Sequence, residues 1–171
     1  MNANSEYSVV LVDDDNMFLV SLKNSLHQQF GSQLKISGYD SGEEFIRNIN
    51  STPDIIILDY YLNNDENPDI MNGMHVLDEI KAVSKDTIVI MLSGQDNVQV
   101  AIDTLKNGAY EYIAKSESTF VRIQNSVKNA IEKIKSKRES NKYFVLNIRK
   151  TILIGIIIVA DIICYCAFRM R

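Results

Sequence analysis

Four aliphatic residues in a row, Ile55-Ile56-Ile57-Leu58, run straight into a carboxylate, Asp59. Three of the four are β-branched, and Pro53-Asp54 marks a start. Such a run reads as a short strand buried on both faces. A charge cannot sit inside that strand unpaired without a large desolvation cost. Asp59 is therefore expected at the strand's C-terminal end, the edge where open α/β sheets build their sites.

The rest of the chain repeats the theme. Ser8–Val12 is a second apolar run, ending at Asp13-Asp14-Asp15. Phe18, Leu19, Leu22, Leu26 and Phe30 follow helical spacing, with Gly31 as the stop. Leu34-Lys35-Ile36 alternates as a strand, and Ser41 with Glu44 forms a capping-box pattern before Phe45, Ile46 and Ile49. Beyond Asp59 a polar stretch, Asn63 to Asn72, lacks periodicity, and Gly73 opens a helix carrying Val76, Leu77, Ile80 and Val83. Thr87–Leu92 is a fourth strand ending at Ser93; Val98, Ala101, Ile102 and Leu105 mark a fourth helix, stopped by Asn107-Gly108. Tyr110–Ala114 is the fifth strand, ending at Lys115, and Phe120, Ile123, Val127, Ile131 and Ile134 mark the fifth helix. Tandem βα units imply a parallel sheet covered on both faces, with right-handed crossovers.

In a parallel sheet the C-terminal strand ends share one edge. Asp13, Asp14, Asp59, Ser93 and Lys115 stand at those ends. Taken singly, each is explained as a polar residue that terminates its strand. Together they place three carboxylates, a hydroxyl and an ammonium on one edge. Three close carboxylates repel one another and call for a cation; oxygen-only ligands favour a hard ion such as Mg²⁺. A carboxylate beside a divalent ion and a lysine can act as a nucleophile on phosphorus.

The series Val-Asp-Asp-Asp, Ile-Leu-Asp, Leu-Ser-Gly and Ile-Ala-Lys-Ser, spread over about residues 7 to 137, resembles the receiver domain of two-component response regulators. The resemblance implies a flavodoxin-like α/β fold, a doubly wound parallel sheet with strand order 2-1-3-4-5. It implies that Asp59 accepts a phosphoryl group from a histidine kinase or phosphotransfer protein. It further implies that Asp13, Asp14, Asp59 and the backbone carbonyl of Tyr61 hold Mg²⁺. By the same resemblance Ser93 is the switch hydroxyl, Tyr112 the switch aromatic and Lys115 the lysine that pairs with the phosphoryl group. Tyr61 and Gln95 occupy the two positions that tune phosphoryl lifetime, and a bulky Tyr61 predicts slow self-dephosphorylation, because water must reach phosphorus in line.

Two features depart from the family pattern. Ser116 follows Lys115 where the family usually has proline, commonly after a cis bond; without proline a cis bond costs about 2.5–4 kcal/mol. The proline usual past the acceptor is missing as well, and the loop to Gly73 is longer.

From Thr151 to Phe168 the chain is apolar all round, roughly 27 Å as a helix, enough for a bilayer core. Asp161 interrupts it at a cost of about 2.5–3.5 kcal/mol, which the isoleucines offset. Lys133, Lys135, Lys137, Arg138, Lys142, Arg149 and Lys150 precede the stretch, against Arg169 and Arg171 after it. That asymmetry predicts a single-pass anchor in the inner membrane with the receiver in the cytoplasm. The expected layout is a receiver over 1–137, a basic linker or helix extension over 138–150, and a transmembrane helix over 151–168. A net charge of −4 gives no general attraction to nucleic acid, and the residues beyond 137 are too few for a typical DNA-binding output domain.

The expected function is a membrane-tethered phosphoacceptor switch rather than an enzyme. Its output partner, or a second copy of the chain, would dock on helix four, strand five and helix five. The alternatives are a phosphorylation-independent membrane scaffold of the same fold and an aspartyl phosphatase; Asp13-Asp14-Asp15 meets the latter's motif only loosely.

Overall fold

The computed structural model describes residues 6–49, 51–62, 71–94 and 97–169; for 150, 153–154 and 156–169 it describes the backbone alone. Five parallel strands lie in the order β2-β1-β3-β4-β5: β1 (Tyr7–Val12), β2 (Leu34–Tyr39), β3 (Ile55–Asp59), β4 (Ile88–Ser93) and β5 (Glu111–Ala114). The expected flavodoxin-like topology is the observed one. Between and after the strands come α1 (Asn16–Phe30), α2 (Gly42–Asn48), α3 (Gly73–Val83), α4 (Val98–Lys106) and α5 (Thr119–Arg169).

The pattern of apolar residues accounts for the layering. Every residue of β3 and β4 is buried, as continuous aliphatic runs at the centre of a doubly covered sheet require. Alternation sends Val10, Val12, Ile56, Leu58, Val89 and Met91 to one face, where they pack with Phe45 of α2 and with Val76, Leu77 and Ile80 of α3. The odd-numbered partners Val9, Leu11, Ile55 and Ile57 fill the other face together with Leu19, Leu22 and Leu26 of α1 and Ile123 and Val127 of α5. There Gln124 Nε2 of α5 donates to Ser25 Oγ of α1 at 2.9 Å. Each such buried side chain contributes about 1.5–3 kcal/mol, so the central strands are held in register by packing as well as by their ladders.

Local signals fix the helix ends. Asp15 Oδ1 accepts from the N–H groups of Met17 and Phe18 and starts α1. Ser41, Asn72 and Asn97 cap α2, α3 and α4 in the same way. Gly31, at φ 56°, closes α1 in the left-handed region. Strand two is longer than expected, reaching Tyr39, because it pairs with the whole of β1.

The chain divides into two compact units, residues 1–131 and 132–171. α5 runs without a break to Arg169 and takes in residues 138–150, the stretch expected as a basic linker or a helix extension. Residues 119–154 contain no glycine or proline, so nothing in the local chemistry stops the helix. In the second unit Tyr143, Phe144, Val145, Leu146 and Ile148 are exposed. Among the described residues no helix is long and apolar enough to cross a membrane. Most side chains of the expected span over 151–168, with Asp161, lie outside the described ones.

Candidate functional site

The C-terminal ends of β1, β3, β4 and β5 meet as expected. Asp59 is the last residue of β3 and is 4% exposed; Asp13, just past β1, is 2% exposed. Lys115 follows β5, where its N–H donates to the Ser93 carbonyl at 2.7 Å. From that anchor its side chain reaches across the edge. Lys115 Nζ donates to Asp13 Oδ2 and to Asp59 Oδ2, at 2.8 Å each. One ammonium thus links residues 56 and 102 positions away in the chain.

Charge at this edge is not balanced. Carboxylate oxygens of Asp13, Asp14 and Asp59 lie within 4.8 Å of one another. Burial pushes the Asp59 carboxyl up to about 6, against the opposing pull of the hydrogen bond and charge of Lys115. Asp13 is raised for the same reason. Burial alone would lower Lys115, but the hydrogen bonds and charges of Asp13 and Asp59 outweigh it and hold the ammonium above its ordinary value. A single cation shared by two buried carboxylates recovers only part of their desolvation cost. The donor set is therefore short of positive charge, and its all-oxygen chemistry fits a hard divalent cation.

The remaining expected residues fall as follows. Ser93 ends β4 and is fully buried; in the sheet it pairs with Ala114, one step beyond the Asp59–Leu92 pair. Tyr112 is half-buried in β5 and packs against the apolar cluster under α2 and α3. The Tyr61 N–H faces Asp59 Oδ1 at 3.4 Å. Gln95 and most of the acidic loop, 63–70, lie outside the described residues. Among the described residues no peptide bond is cis, so Lys115–Ser116 is trans. The Ser116 N–H donates to the buried Thr119 Oγ1, a bond that proline cannot make.

Three residues contribute that their spacing did not reveal. Phe18, read as one of the core positions of α1, places its ring 4.6 Å from Lys115 Nζ. Glu43 Oε1 accepts from the Met71 N–H at 2.6 Å and so holds the end of the loop after β3. Gly73 donates its N–H to the Tyr60 carbonyl at 3.0 Å, and a Cβ at Gly73 would overlap the Asp59 carbonyl oxygen and crowd Tyr60 Cα. A glycine ahead of a helix was legible; its contact with the acceptor's backbone was not. We expect Gly73→Ala to destabilise the fold by about 1–3 kcal/mol, read as a lower urea midpoint with an unchanged denaturant slope.

The sequence pattern of the response regulator receiver domain matches residues 9–128. The chain belongs to that family. Receiver domains interact with histidine kinases or phosphotransfer proteins, and they typically bind Mg²⁺ at an acidic pocket, here the Asp13–Asp14–Asp59 cluster. This receiver is similar to the transcriptional regulatory protein PrrA of Mycobacterium leprae, 32% identical over 108 residues, which are 63% of this chain and 42% of PrrA. A putative NtrX-like response regulator of Rickettsia felis is 27% identical over 157 residues, 88% of this chain and 30% of the relative. The receiver thus spans less than half the length of either. Among solved structures, the signal receiver domain of a putative LuxO repressor protein from Vibrio parahaemolyticus superposes with a TM-score of 0.67 at 25% identity, covering 78% of this chain and 95% of that one.

Proposed function

We propose that this receiver takes a phosphoryl group onto Asp59 from a histidine kinase or phosphotransfer partner and works as a switch, not a turnover enzyme. The observation that carries the reading is the position of Lys115 Nζ, 2.8 Å from both Asp59 and Asp13. An Asp59 oxygen forms the new P–O bond while the P–N bond to the donor imidazole breaks, and the bonding pair leaves with the ring nitrogen, which then takes a proton. Lys115 offsets charge on the transferring oxygens, an interaction that gains strength in a site with little water. Asp13, Asp14, Asp59 and the Tyr61 carbonyl would hold Mg²⁺, which supplies further positive charge to the phosphoryl oxygens.

In the phosphorylated state Ser93 and Tyr112 would rearrange, biasing the α4–β5–α5 face toward an output partner or a second copy of the chain. The exposed Val98, Ile102 and Leu105 of α4 support that assignment. Tyr61, about a third exposed beside the acceptor, would hinder attacking water; we expect Tyr61→Ala to shorten the phosphoryl half-life, followed by acid-quenched mass spectrometry. Gln95 is assigned the companion role on the family pattern alone.

The helical tail over 151–168 is assigned as a membrane tether, with the receiver on the cytoplasmic side of the inner membrane. Its apolar sequence and the basic residues preceding it support this. Carbonate extraction tests the tether: the full chain is expected to stay with membranes and to be released by detergent.

Incubation with Mg²⁺ and a small acyl phosphate tests the phosphoacceptor role. The expected result is a mass gain of one phosphoryl group, absent in Asp59→Ala. Steady release of phosphate would point to a phosphatase, and no gain at all to a scaffold of receiver fold.

A further inference from the structure

The Lys115 ammonium has a third neighbour besides its two carboxylates. The Phe18 ring lies 4.6 Å from Nζ, and Phe120 backs that ring at a centroid distance of 5.5 Å and a tilt of 58°. Both rings are half-buried. A lysine side chain is long and loses much rotamer freedom when held in one place. Its two hydrogen bonds fix one side of the ammonium and leave the other to solvent unless something covers it. An aromatic face attracts a cation electrostatically and is worth most where water is excluded.

We propose that Phe18 is a positioning residue for Lys115, holding the ammonium between Asp13 and Asp59 by a cation–π contact that Phe120 buttresses. The proposal rests on the phosphoacceptor reading and assigns a residue to the same site. The attraction of a ring face has little directionality. The ammonium can therefore swing from Asp59 Oδ2 toward an oxygen of an arriving phosphoryl group without leaving the ring, whereas a hydrogen-bond acceptor in the same place would hold it back.

Local chemistry on both sides aims the two rings. The Phe18 N–H donates to Asp15 Oδ1 at 3.0 Å, so the third aspartate of the acidic trio caps the helix that presents the ring. The Thr119 N–H donates to the Ser116 carbonyl at 3.1 Å, and the Ser116 N–H answers to Thr119 Oγ1. This reciprocal turn opens α5 one residue before Phe120. Ser116 thereby supports the aromatic buttress through an N–H that a proline would lack.

The test uses the full chain with Phe18→Leu, and with 3,4,5-trifluorophenylalanine at position 18, which keeps the ring's shape and weakens its negative face. Two readouts are taken: the NMR order parameter of the Lys115 ε-methylene without any phosphodonor, and the rate of phosphorylation by acetyl phosphate with Mg²⁺. We expect the order parameter to fall in both variants and the rate to fall by about three- to tenfold, with Phe18→Tyr retaining wild-type values in both. A trifluorinated protein with the order parameter of wild type overturns the proposal even if Phe18→Leu fails to fold. Phe18→Tyr behaving as Phe18→Leu overturns it too. Absence of phosphoryl uptake in wild type would defeat the phosphoacceptor reading alone, since the order parameter tests the ring independently.

Discussion

Asp59→Asn is expected to be more stable than the wild type at neutral pH, by on the order of 3 kcal/mol. Burial holds the folded Asp59 carboxyl at about 6, against a value of 3.8 for an unhindered aspartate. Between those values the folded chain keeps a proton that the unfolded chain has released. Wild-type stability therefore falls as pH rises from about 4 through about 6, and above that the whole cost of a buried carboxylate is present. Asparagine has nearly the same shape, accepts a hydrogen bond from Lys115 through its carbonyl oxygen and carries no charge. The gain should shrink to a small fraction of this near pH 4, where the folded Asp59 is protonated and the unfolded one is close to half protonated. Mg²⁺ should narrow the gap at pH 7, because an ion that binds only the folded wild type stabilises it by mass action. Urea unfolding of both proteins from pH 4 to 8, with and without Mg²⁺, measures all three trends. A difference that stays flat with pH would mean that Asp59 is not a desolvated carboxylate. The same substitution should abolish phosphoryl uptake, so activity and stability move in opposite directions at one residue.

Much of this site was legible because its residues stand where strands stop. Ile55–Leu58 could only be a buried strand, and the carboxylate that ended it had to lie at the edge; Lys115 was placed by the same logic at the end of β5. Strand order came from the family resemblance, since periodicity alone does not say which strand neighbours which. Phe18 was legible as an apolar helical position but not as a neighbour of Lys115. Its spacing matches that of Leu19, Leu22 and Leu26, and only the meeting of α1 with the start of α5 separates their roles. Val98, Ile102 and Leu105 show the converse. Their spacing marks an apolar stripe, yet all three are exposed, while the one buried residue of α4 is Thr104. That hydroxyl donates to the carbonyls of Val100 and Ala101, which satisfies it within its own helix. Helical periodicity identifies a face and not what covers it.

Lys115→Met should have the opposite sign from Asp59→Asn and a larger size, about 3–5 kcal/mol of lost stability at pH 7 to 8. Methionine keeps the unbranched stem and fills the space beside Phe18. It removes the one cation that Asp13 and Asp59 share, each bonded to Nζ at 2.8 Å. Both carboxyls are already raised by burial with the lysine in place; without it both rise further and take up protons more readily. The loss should accordingly be greatest on the alkaline side, where both are ionised, and should shrink toward pH 4, where protonation removes the repulsion. Combining Lys115→Met with Asp59→Asn should be less destabilising than the two single effects summed, because the second change removes the charge that the first left unpaired. Phosphorylation by a small acyl phosphate should slow by about a hundredfold, the scale of losing one preorganised donor to a transferring group. Mg²⁺ should restore more stability to Lys115→Met than it adds to the wild type, since a divalent ion replaces part of the missing charge. Equal Mg²⁺ responses in the two proteins would show that the ammonium and the acidic cluster do not share one electrostatic site, and the phosphoacceptor geometry would fail with them.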